Sequence, residues 1–68
     1  VTKEKLSQAL AQVAEIAACV ERGDVVLAGQ ARRTLNELCC ELRDGVMTYP
    51  PQIVEALRGH GLRETASH

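Results

Sequence analysis

Two apolar seams of the same period, separated by a four-residue break, constrain this chain more than any other feature. From Leu6 the steps to Leu10, Val13, Ala17 and Val20 run four, three, four and three; from Ala28 the steps to Ala31, Leu35, Leu38 and Leu42 run three, four, three and four. That spacing returns to one side of an α-helix at every turn, so each segment predicts an amphipathic helix whose seam has to be covered. Between them, Glu21-Arg22-Gly23-Asp24 supplies a stop and a restart. Gly23 suits the left-handed residue that closes one helix, and Asp24 suits the cap that opens the next. So short a break makes the helices antiparallel. The prediction is a helical hairpin with arms over about residues 3–22 and 25–44, the second arm close to 30 Å long at about 1.5 Å per residue.

The flanking residues extend this pattern. Thr2 is an acceptable N-cap with Glu4 in the first turn, and the polar side of the first helix reads Lys5, Gln8, Gln12, Glu15, Cys19 and Arg22, with Ala9 and Ile16 beside the seam. Gly45 reads as a second helix-closing glycine. Pro51 disfavours helical geometry at Pro50, which does the same at Tyr49, so residues 46–50 form a non-helical elbow. With Pro51 at its first position, a third helix over about 51–58 presents Ile53, Val54 and Leu57 on one side. Two turns are marginal alone, so this helix must dock. Residues 63–68 have little to bury and read as a mobile tail, leaving residues 1–62 as a single all-α domain. Gly29, inside the second helix, is either a tolerated glycine or a place where another backbone approaches.

Composition enters through the core. A chain of 68 residues is near the lower limit for folding alone, and with no Phe or Trp and Tyr49 as its one aromatic, its core must be Leu, Val, Ile and Ala. The predicted core and dimer residues are Leu6, Leu10, Val13, Ile16, Val20, Leu35, Leu38 and Leu42. Because the apolar set is wider than one helix contact covers, two hairpins are expected to pair into a homodimeric four-helix bundle. A net charge of -1 sets up no global attraction to nucleic acid or to an anionic membrane. The chain has no run of eighteen apolar residues and its first residues lack the pattern of a secretion signal, so the expected location is cytoplasmic and the cysteines are expected to be reduced.

The candidates for chemistry are the cysteines, histidines and arginines. In an antiparallel hairpin Cys19 sits near the turn and Cys39 and Cys40 roughly 15 Å farther along, beyond the ~7 Å reach of a disulfide. Adjacent cysteines do not match structural zinc spacing, so Cys39 reads as a small buried hydrophobe and Cys40 as an exposed thiol. His60 lies between two glycines and His68 is terminal; neither has a partner for acid–base work. No catalytic residue, cofactor or metal is assigned. Arg32 and Arg33 give the second helix a basic edge, diluted by Glu37, Glu41 and Asp44, which makes nucleic-acid binding the lesser expectation. Val26 falls on the polar stripe, and Val25, Val46, Met47 and Tyr49 add further apolar surface. The predicted partner-binding residues are Val26, Arg32, Arg33, Met47 and Tyr49, since aromatic and arginine side chains anchor interfaces.

A capped helical hairpin ending in Arg43-Asp44-Gly45, followed by a Tyr49-Pro50-Pro51 elbow and a short helix, resembles the small helical regulators of bacteria and their phages over about residues 2–58. The group includes antiactivators of LuxR-type quorum-sensing regulators, antikinases and the plasmid RNA-binding hairpin Rop; secretion-chaperone hairpins are a further architecture of this kind. The resemblance lies in architecture and implies a non-enzymatic protein that binds and inhibits a protein partner such as a transcription factor. A Rop-like nucleic-acid-binding dimer and a secretion-type chaperone or adaptor are the alternatives.

Overall fold

Thr2 opens the first helix as its sequence suggests, accepting the Lys5 N–H on its hydroxyl at 3.2 Å. The computed structural model describes residues 2–64, and in it α1 spans Lys3–Arg22. Gly23, at φ 74°, closes the helix with its N–H on the Val20 carbonyl, and the Asp24 N–H reaches the Cys19 carbonyl at 2.9 Å. Asp24 then caps α2 (Val25–Cys39), its Oδ1 accepting the Leu27 N–H at 3.0 Å. These bonds satisfy backbone groups that the helix ends would otherwise leave orphaned, so the turn is stabilised locally before any packing.

The second helix ends at Cys39, short of the expected Arg43 or Asp44. Cys40 turns extended at φ -75° and ψ 133°, and Glu41–Arg43 (β1) pairs antiparallel with Val46–Thr48 (β2). The register sets Glu41 opposite Thr48, Leu42 opposite Met47 and Arg43 opposite Val46. Asp44 at φ 53° and Gly45 at φ 77° form the two-residue connection, both left-handed, as a type I′ hairpin turn requires. Gly45 is therefore a hairpin glycine and not a helix cap. Magnitudes favour this outcome. Four more helical residues would gain a few tenths of a kcal/mol each in propensity, whereas the hairpin returns Tyr49 to the core, 6% exposed. Burying an aromatic ring removes at least roughly 150 Å² from water, a gross gain of about 4 kcal/mol.

Pro51 opens α3 (Pro51–Gly59), with the Pro50 carbonyl accepting from the Ile53 and Val54 N–H groups. Gly61, at φ 69°, ends it: the Leu62 N–H bonds the Leu57 carbonyl at 2.8 Å and the Gly61 N–H bonds the Arg58 carbonyl at 3.0 Å. This paired closure turns Leu62 back to pack against the core.

α1 packs against both α2 and α3. The core they enclose is Ala9, Val13, Ile16, Ala31, Leu35, Cys39, Tyr49, Ile53 and Leu57, with Leu6, Leu38, Val54 and Ala56 partly buried around it. The buried arc of α1 is thus rotated from the Leu10–Val20 line: Leu10 and Val20 are exposed, Ala9 and Ile16 take the inner positions, and Cys19, expected on the polar side, is fully buried. The reason is that α1 has two neighbours, α2 and α3, so the arc it buries is set by both and not by one facing seam. Leu42, expected on the seam, is 70% exposed because it lies in β1. Val13, Ile16 and Leu35 are already covered within one chain and need no second hairpin to take them out of water. Of the expected tail, Arg63 and Glu64 are tied down, by Arg32 and Arg58 respectively, while residues 65–68, His68 included, lie outside the described residues. No described helix is long and apolar enough to cross a membrane.

Candidate functional site

The residues expected to contact a partner fall into two groups. Arg32 and Tyr49 are brought together, Tyr49 buried and Arg32 half-buried beside it. The Tyr49 hydroxyl donates to the Asn36 side-chain oxygen, and Arg32 Nη1 donates to the Arg63 carbonyl at 3.0 Å. Burial pushes the Tyr49 phenol above its ordinary value, with the neighbouring Arg32 guanidinium pulling partly against that. Together these contacts lock the elbow and the segment after α3 onto one side of α2. Val26, Arg33 and Met47 stay exposed, Val26 at 70%.

Apart from Leu10 on α1, the exposed large aliphatic side chains lie at two places. The first is the turn end of the helical hairpin, with Val20 in the last turn of α1 and Val25, Val26 and Leu27 in the first turn of α2. Val25 is 81% exposed. Consecutive helical residues are about 100° apart, so three in a row cannot all face α1. The second place is the β-ribbon: Leu42 and Met47, as directly opposed residues, share one side of it, and Val46 lies with Arg43 on the other. Periodicity places Leu42 and Val20 in a seam and Leu27 beside one, so none of the three is expected at the surface. Asp44-Gly45 ahead of Val46-Met47-Thr48-Tyr49 is the signal that would have freed Leu42 from the helix.

The three thiols are free. Cys19 Sγ is enclosed between Arg22, whose Nη2 donates to it at 3.4 Å, and Glu15, whose carboxylate accepts from it at 3.8 Å. The Cys39 thiol donates to the Leu35 carbonyl at 3.4 Å and is pushed up to about 11, by burial first and then by the negative potential of Cys40 and Glu41. Cys40, expected to be exposed, is half-buried, and its thiol is raised by burial and by Glu41. Protonated thiols are poor nucleophiles and poor metal ligands. Among the described residues no three His, Cys, Asp or Glu side chains gather as a metal-binding group. What this surface can do chemically is bury apolar area against another macromolecule. No protein-family model matches the chain, and no curated protein and no solved structure matches it.

Proposed function

We propose that this chain is a non-enzymatic, homodimeric regulator that binds a protein partner stoichiometrically, using the turn end of its helical hairpin as the contact. The observation that carries this reading is the cluster Val20, Val25, Val26 and Leu27, four large aliphatic side chains within two helix ends, all of them exposed. Isolated exposed valines are ordinary, but several at the turn end of one hairpin offer a partner apolar area with little conformational entropy to lose, because valine is stiff at χ1. Inhibition of a transcription factor, as an antiactivator, is the form of this activity implied by the architectural resemblance. Nucleic acid is the weaker reading, since Arg32 is engaged by the Arg63 carbonyl and only Arg33 of that pair projects freely.

The test begins with capture from a nuclease-treated bacterial lysate and identification of what binds, followed by titration of the purified partner. Val26→Asp, still folded by circular dichroism, should weaken binding at least about tenfold, in line with loss of a central apolar anchor. Unchanged affinity would remove the turn end from the interface. Recovery from untreated lysate alone, with loss at high salt, would replace the protein partner with nucleic acid.

A further inference from the structure

We infer that the free edge of β1 is the self-association edge of the molecule, two copies pairing Glu41–Arg43 antiparallel about Leu42 to make one four-stranded sheet. This rests on the homodimer proposed above and names its surface.

In a two-residue hairpin the pair that closes the turn, here Arg43 and Val46, exchanges its backbone hydrogen bonds inward. The next pair, Leu42 and Met47, then turns its N–H and C=O groups outward. The sheet has only the order β1-β2, so among the described residues no strand meets the outward groups of Leu42, and all three β1 residues are exposed. An open edge of this kind is a template for another strand.

The sequence of that edge is self-complementary. Reading Glu41-Leu42-Arg43 antiparallel against itself puts Leu42 opposite Leu42 of the second copy, and each Glu41 opposite Arg43 of the other copy. Leu42 becomes a hydrogen-bonded pair, exchanging two backbone bonds across the two-fold axis. The flanking positions become non-hydrogen-bonded pairs, the closer kind, with Cα atoms about 4.5 Å apart, where opposite charges attract. Within one chain the same two side chains already sit on one side of β1, with Arg43 Nη2 at 3.9 Å from Glu41 Oε2 and both largely in water. On the other side, the two copies align Met47 and Leu42 with Leu42 and Met47 into one apolar row across four strands. A β2 edge offers no such match, because Val46-Met47-Thr48 read against itself pairs no charges. A two-stranded ribbon alone is marginal in water, and doubling it gives each β1 a neighbour on both edges.

The contact is short, so association should be concentration-dependent between micromolar and millimolar protein. Sedimentation velocity on the full chain measures it. Glu41→Arg and Arg43→Glu each convert two attractive cross-strand pairs into repulsive ones, and each should weaken self-association about tenfold or more. Mixing the two single variants should restore a dimer, since a copy with arginine at both flanking positions then faces a copy with glutamate at both. The double variant Glu41→Arg with Arg43→Glu should self-associate like the wild type, which separates lost pairing from lost folding. A wild type that stays monomeric at millimolar concentration overturns both the homodimer and its edge. Association untouched by either single substitution overturns the edge alone and returns the dimer to the helical faces.

Discussion

The Cys39 thiol is pushed well above its ordinary value by folding. It is enclosed beneath Leu35 and beside Glu41, and it titrates at about 11 against an ordinary value of 9.0. The folded chain therefore holds this proton longer than the unfolded chain does. The contribution of this thiol to stability should be flat below about pH 8 and should fall as pH rises from about 9 towards about 11, since the unfolded state alone gains by ionising there. Tyr49, also raised, acts in the same direction at higher pH. Urea midpoints between pH 8 and 11 check this: the decline should be shallower in Cys39→Ala, and equal slopes would show that the thiol is not responsible. The burial of Cys39 was legible from its helical position, whereas that of Cys19 was not. Cys19 lies on the polar stripe by periodicity, yet it is fully buried in the fold, with Glu15 and Arg22 of its own helix bonded to its sulfur.

At the level of elements, the two interior glycines of greatest consequence pull in opposite directions. Gly29 is an exposed mid-helix residue with nothing within 4 Å of the position a Cβ would occupy, so no other part of the described chain needs it small. Gly29→Ala should raise stability by up to about 1 kcal/mol, a rise of several degrees in Tm for a domain this small. Gly45, at φ 77°, holds the β-turn. Gly45→Ala should lower stability by about 1 kcal/mol because an L-residue is strained there. Thermal melts of the two variants check both signs. These two glycines also show what sequence patterns resolve. Gly23 followed by Asp24 has one meaning between two helical seams, and Pro51 has one meaning after Pro50; both elements lie where their signals put them. Asp44-Gly45 has two, helix closure or hairpin turn, and the seam of α2 ran on through Leu42 and favoured the wrong one. Burial of Tyr49 against Asn36 and the core decided between them, and that contact is non-local.

At the scale of the whole molecule, the third helix turns a two-helix hairpin into a closed core. Ile53 and Leu57 are completely buried, and Leu62 folds back against the same cluster. Domains of this length have only about 3–10 kcal/mol of stability in total. Leu57→Ala, which leaves a cavity at the centre of the core, should cost about 2–5 kcal/mol and leave the chain largely unfolded; Ile53→Val should cost about 1 kcal/mol. Circular dichroism in urea separates the two, and a well-folded Leu57→Ala would mean that α3 is dispensable. The number, order and starts of the helices were written in the chain, because caps, prolines and period act over a few residues. Which side of α1 is buried, where α2 stops and which aliphatic side chains stay in water were settled by packing. Those outcomes depend on the competition of α2, α3 and Tyr49 for the same small surface, and no local pattern encodes the winner of a competition between segments far apart in the chain.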